Sequence, residues 1–227
     1  MFLLSQLLLT ACFKDEIPYG AELRDERIEK PSESYLLNGY EYVDLGLPSG
    51  LKWATCNVGA EFPEEYGAYY AWGEINIKSE YTEANSRTFG LSESDISGNP
   101  IYDVARVEWG ASWRLPTNAE FEELITSCEW EWIVQGGKGG YKISGPNGKT
   151  LFLPAGGYRY DKYMYDKGCS GYYWSSVAED SDVYSAYYLF LDSTCHYVDF
   201  YYLYAGKNAH ITFLSCTAHV ARHGMIT

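Results

Sequence analysis

Six cysteines and four histidines are the residues of this chain best equipped for chemistry. No Cys-x-x-Cys occurs, which removes the usual zinc and thiol-exchange arrangements. His219 and His223 lie four apart, a spacing that would bring them together on a helix but not in the strand-rich tail expected here. Cys195 and His196 are adjacent, and neighbours on a strand point to opposite faces, so a thiolate–imidazole pair is not expected. Gly168-Cys169-Ser170-Gly171 is not a nucleophile elbow, and no phosphate-cradling glycine loop occurs. The acid pairs Glu64 and Glu65, and Asp180 and Asp182, read as solvated loop residues. The sequence thus predicts no catalytic or metal-binding constellation, and no cofactor.

Binding is the alternative to catalysis, and the aromatic content speaks to it. Twenty-three Tyr and seven Trp bring aromatics to 17% of 227 residues. Tyrosine supplies large contact area and a hydroxyl at low entropic cost, so exposed recognition surface is one reading and ordinary strand propensity the other. A net charge of −14 with no Lys/Arg run argues against nucleic acid and fits an acidic, soluble surface.

The elements that must hold such a surface centre on Trp113-Arg114-Leu115-Pro116-Thr117. Thr117 and Glu120 form a capping box, and Phe121, Leu124 and Ile125 give the following helix one apolar face. Around it the chain reads as strands and turns. Tyr40 to Leu47 and Leu51 to Val58 form a hairpin about Pro48-Ser49-Gly50. Residues 76–100, rich in Ser, Asn, Glu and Gly, read as a long surface excursion. Trp130 and Trp132 sit at strand alternation, and 136–140 read as a flexible glycine loop. Tyr141 to Pro154 is a second hairpin, with Asn147-Gly148 expected to supply positive φ angles. Strands at 171–176, 186–192 and 195–204 complete the pattern, the last aromatic on both faces.

The N-terminus is different. Residues 2–11 form an apolar run too short to span a bilayer and of signal-peptide length. Leu9-Thr10-Ala11-Cys12 resembles the bacterial lipobox, which implies cleavage before Cys12 and a lipid anchor there. Lys14-Asp15-Glu16 resembles the signal that sends lipoproteins of the Bacteroidetes to the cell surface. The expected organisation is a signal peptide at 1–11, a lipidated tether at 12–38 and one domain at 39–227, held on the outer membrane and exposed at the surface. Five cysteines then remain, an odd number in an oxidising compartment, and Cys56 with Cys128, each in a well-patterned segment, is the expected disulfide.

Several motifs occur together in one order: Val43 to Ala54, Tyr70-Ala71-Trp72-Gly73-Glu74, Trp109-Gly110, Trp113 to Thr117, Gly145 to Gly148 with Phe152 to Arg159, and Gly171 to Ser176. Together they resemble the major paralogous domain first named in Fibrobacter succinogenes, from about Tyr40 to Asp192. The resemblance implies a C-type-lectin-like α+β fold with twisted antiparallel sheets, one or two short helices and long loops. Val220, Arg222 and Gly224 alone echo the closing strand of relatives. Residues 192–204 also resemble the tail that retroelements diversify in some C-type-lectin-like proteins.

The acidic-Pro-Asn and Trp-Asn-Asp calcium motifs of sugar-binding lectins are absent, since Gly145 precedes Pro146 and two serines follow Trp174. A formylglycine-generating enzyme would need a C-terminal cysteine pair, for which Cys195 and Cys216 are available without matching surroundings. The expectation is therefore a non-enzymatic surface lipoprotein binding a glycan or a host or bacterial surface protein. The expected contacts are Tyr184, His196, Tyr197, Asp199, Tyr201, Tyr202 and Tyr204. Alternation puts Tyr197, Asp199 and Tyr201 on one face, taken as the exposed one, and His196, Phe200 and Tyr202 on the other. A formylglycine-type catalyst and a structural or fimbria-associated component are the alternatives.

Overall fold

Short alternating runs separated by positive-φ glycines fold into many brief strands. The computed structural model describes residues 35–181 and 183–202, the last two as backbone only, and the backbone of 216–217 and 221–222, all within the unit Glu33–Thr227. In chain order the elements are β1 (Tyr35–Leu37), β2 (Tyr40–Asp44), β3 (Lys52–Ala54), β4 (Tyr69–Tyr70), α1 (Val104–Trp109), α2 (Asn118–Ser127), β5 (Glu129–Gln135), β6 (Lys138–Ser144), β7 (Thr150–Pro154), β8 (Tyr158–Tyr160), β9 (Tyr163–Tyr165), β10 (Ser170–Ala178), β11 (Ser185–Asp192), β12 (His196–Tyr202), β13 (Cys216–Thr217) and β14 (Ala221–Arg222). The result is mainly antiparallel β-structure with few helices, a mixed α+β architecture. Among the described residues no helix is long and apolar enough to cross a membrane.

The sheet orders are β1-β2-β3-β14, β12-β11-β10-β13-β4, β5-β6-β7 and β8-β9. Among the described residues pairing begins at Tyr35, so residues 35–37, expected in the tether, pair into the first sheet as β1. The five-stranded sheet is covered on both faces. Trp174, Tyr188 and Ala186 point into one core with Trp72, Ile96, Val104, Trp109 and Trp113. Tyr173, Leu189 and Leu191 point into a second with Trp53, Phe121, Leu124, Ile143 and Leu153.

Trp113 to Thr117 is the junction of these parts. Trp113 is fully buried and donates from its indole to Leu37 O at 3.0 Å. The Leu115 amide donates to Asp103 at 2.9 Å, and Pro116 O accepts from Ser176 at 2.7 Å. The capping box forms as expected: Glu120 N donates to Thr117 Oγ1 at 3.2 Å, and Glu120 accepts from Thr117 N at 2.8 Å. The same carboxylate holds Arg114 through both guanidinium nitrogens, which fixes the entry to α2.

Four local expectations differ from the structure. Residues 139–140 lie inside β6, because Phe152 and the Leu153 carbonyl approach so closely that a Cβ on Gly140 would sit 2.4 Å from Leu153 O. The 145–149 turn closes the expected hairpin, but only Gly148 takes a positive φ. Asn147 instead donates to Asp44 O at 2.8 Å and accepts from Lys149 N at 3.0 Å, a side-chain clip between two sheets. The 76–100 excursion is stitched down by buried Tyr81 and Ile96, whose amides donate to Asp161 O and Ser176 O.

The fourth difference is the disulfide. Cys56 and Cys128 are both free. Cys56 lies near Glu41, Glu64 and Glu65, whereas Cys128 caps α2 beside Glu123 against the second core, so regular patterning did not make them neighbours. Among the described cysteines, Cys169 is disulfide-bonded. Burial pushes both free thiols up to about 11. At pH 8 their thiolate fraction falls about 100-fold below that of an ordinary cysteine, so iodoacetamide should label them slowly in the folded protein and rapidly in guanidinium, read by peptide mass.

Candidate functional site

Strand β12 forms the described edge of the five-stranded sheet and pairs with β11 in the register Leu191–His196, Phe190–Tyr197, Leu189–Val198 and Tyr188–Asp199. Cross-strand partners share a face. Tyr197 and Asp199 therefore stand beside Phe190 and Tyr188, and both are exposed, as alternation predicted. Phe200, on the opposite face, is as open as Tyr197, each 43% exposed, and meets Tyr187 edge-on at 5.8 Å. Burial of the whole opposite face does not hold.

Tyr197 ends a continuous run of rings. It contacts Phe190 at 5.1 Å, and Phe190 contacts Tyr172 of β10 at 5.2 Å. Tyr172 contacts Tyr158 at 5.0 Å, and Tyr158 stacks on Tyr165 at 5.2 Å and 18°. The three inner rings are half-buried against the first core, while Tyr165 and Tyr197 are open at the two ends. Asp166 accepts from the Tyr172 hydroxyl at 3.4 Å, and Asp192 flanks the tract beyond Phe190. Asp192 accepts from Thr194 N at 2.7 Å and Cys195 N at 2.9 Å, closing the β11–β12 turn. Its slight burial opposes ionisation, but these hydrogen bonds hold its carboxyl below the usual range.

The β8–β9 hairpin supplies one end of the tract. Its register places Tyr158, Tyr160, Tyr163 and Tyr165 on one face and Arg159 and Met164 on the other. Arg159 turns away to donate to Lys78 O at 3.1 Å and Ser79 O at 2.8 Å, with its guanidinium over the Tyr81 ring. That clip fixes the orientation of the four tyrosines. Sequence reasoning missed Tyr158, Tyr165, Tyr172 and Phe190 as site residues. The tyrosines at 158, 160, 163 and 165 carried a detectable signal, a symmetric alternation about a two-residue turn.

The other expected contacts separate. His196 is no part of the open face: it stacks on Trp130 at 4.2 Å and 10° and meets Tyr141 edge-on at 5.0 Å. The alternation that exposes Tyr197 turns its neighbour toward the second core. Tyr184 rests on Phe89, 4.8 Å away, at the Tyr202 end of β11. Tyr184 is six residues, about 20 Å of extended chain, from Phe190. Tyr201 and Tyr202 are placed as backbone in β12, and their side chains, like Tyr204, Cys12, His219 and His223, lie outside the described residues. Among those residues no group of three or more His, Cys, Asp or Glu is gathered for a metal ion. Cys195 directs its thiol to Asp192 at 3.6 Å while the His196 ring is committed to Trp130.

Burial lowers the His196 pKa, and its Nδ1 is enclosed without a hydrogen-bond partner among the described residues. The folded state therefore favours neutral imidazole. Its contribution is complete above the ordinary value of 6.5 and is lost as pH falls through the lowered folded value. Urea melts between pH 7.5 and 5 should show stability declining toward acid, and His196→Phe, which keeps a ring against Trp130, should flatten that decline.

What the arrangement can do is present an aromatic surface bordered by carboxylates and hydroxyls. Such a surface stacks on the apolar face of a sugar ring or anchors a protein hot spot. Comparison of the chain with protein-family models, with curated proteins and with solved structures finds no match.

Proposed function

We propose that the chain is a lipoprotein anchored through Cys12 on the outer membrane, exposed at the cell surface, whose domain binds a glycan or a surface protein without catalysis. We place the domain in the C-type-lectin-like class. In favour of this are the first and last described strands lying in one sheet, β1-β2-β3-β14, two short helices and a long irregular segment between β4 and α1. The observation that carries the binding reading is the run Tyr165–Tyr158–Tyr172–Phe190–Tyr197, five touching rings across five strands with its ends open to solvent. Part of the 192–204 segment forms its outer end, and there ligand preference would be set.

The test is a broad glycan array probed with soluble residues 33–227, a start that keeps β1, with and without EDTA. Binding that survives EDTA supports a calcium-independent ring surface. Binding abolished by EDTA would overturn the metal-free reading, and silence across the array would move the assignment to a protein ligand, sought by crosslinking on intact cells.

A further inference from the structure

Away from the ring tract, the chain folds a pocket of about 600 Å³ from three segments, 73–78, 85–88 and 101–102. Its floor is built rigidly. Gly73 takes φ +70°, bringing the backbone against Thr88, whose hydroxyl donates to Trp72 O. The Trp72 indole donates to Ser175 O at 2.9 Å, which fastens this turn to β10. Glu74 is buried, accepts from the Arg87 amide at 2.8 Å and pairs with Lys78 at 2.6 Å. Lys78 is further held by the Asn85 carbonyl at 2.9 Å and side chain at 3.2 Å. All three ammonium protons thus have acceptors, and the Glu74–Lys78 pair adds no net charge to the pocket.

That leaves Arg87. Its side chain is exposed on the pocket wall and, among the described residues, has no carboxylate partner. Beside it stand Ile77 and Ile101, 66% and 65% exposed, with Ile75 and Tyr102 deeper. An arginine with no carboxylate partner among the described residues, lining the pocket with apolar neighbours above a neutral floor, matches a ligand with one negative charge and an apolar body. The planar fork of arginine favours a carboxylate, which it can grip with two parallel hydrogen bonds. The volume is in the range of small-molecule sites.

We infer that this pocket binds a small amphipathic carboxylate, its charge on Arg87 and its aromatic or aliphatic body against Ile77, Ile101 and Tyr102. The inference stands apart from the ring tract and does not require it. The test titrates the full chain with 4-phenylbutyrate and the neutral 4-phenylbutanol, following protein amide resonances. The acid should bind about tenfold more tightly than the alcohol, the margin of a charge-assisted hydrogen-bond pair. R87Q should remove that preference while leaving alcohol binding unchanged, and Ile101→Ser should weaken both probes. The amide of Glu74→Gln retains an acceptor for the Arg87 N–H, so its pocket remains formed. With one acid removed from beside the site, that variant should bind the acid at least as well as the wild type. Equal affinity for acid and alcohol, an unchanged preference in R87Q, or resonance shifts remote from Arg87 and Tyr102 would each overturn the inference.

Discussion

Replacing Asp103 with alanine is expected to destabilise the domain by about 3–5 kcal/mol, the largest loss from any polar substitution in the described fold. Asp103 is wholly buried, and its two oxygens accept four backbone N–H groups: Ala105 at 2.9 Å, Arg106 at 3.1 Å, Gly98 at 2.7 Å and Leu115 at 2.9 Å. The first two cap α1, the third closes the end of the 76–100 excursion, and the fourth ties in the junction ahead of α2. Alanine leaves four donors without this acceptor, those of Ala105 and Leu115 buried and those of Gly98 and Arg106 partly so, and each buried orphan costs on the order of 1–3 kcal/mol before relaxation. Burial raises the pKa of this carboxyl while the four donors oppose the rise. Since the folded value lies above the unfolded one, the ionised form is the less favoured in the fold, and this single group works against stability as pH rises through its folded value. Chemical denaturation of Asp103→Ala at pH 7 is the measurement. A loss below 1 kcal/mol would mean that solvent reaches these amides and that the junction is not built on Asp103.

The second large effect concerns binding. Tyr165→Ala and Tyr197→Ala should each weaken the ligand about tenfold, and the double variant about 100-fold, since a stacked ring at a recognition surface contributes on the order of 1–2 kcal/mol. Both rings are open to solvent at their ends of the tract, so melting temperatures should stay close to the parent. Phe200→Ala is the matched control, equal in exposure and opposite in face. If it weakens the ligand as much as Tyr197→Ala does, the ligand does not sit on the tract. If neither end matters, the tract is an exposed margin of the first core and nothing more.

Local rules were legible in the sequence to the extent that their causes were local. The Thr117–Glu120 box, the apolar stripe Phe121–Leu124–Ile125 and the face shared by Tyr197 and Asp199 depend only on spacing, and all appear as spaced. Helix α1 was equally local and was missed: Asp103 ahead of Val104-Ala105 is an N-cap residue before a helical run. Long-range placement was not legible. The free thiols of Cys56 and Cys128, the burial of Ile96 inside a polar stretch and the glycines within β6 follow from what packs opposite them, which no periodicity records. The ring tract is of this second kind. All five of its members come from strands whose order, β12-β11-β10 with the β8–β9 hairpin alongside, had to be known first.

The double-faced central sheet has one further consequence, for how the molecule opens. Successive residues of β10 and β11 serve different cores, Tyr173 and Leu189 one, Trp174 and Tyr188 the other. Neither core can melt while the other keeps its wall, because the wall is the same backbone. Amide protons at the centre of β10 and β11 should therefore exchange with solvent deuterium at one common, slowest rate set by global unfolding, whichever core their side chains enter. On this sheet β12, bonded on its β11 side, should exchange ahead of them.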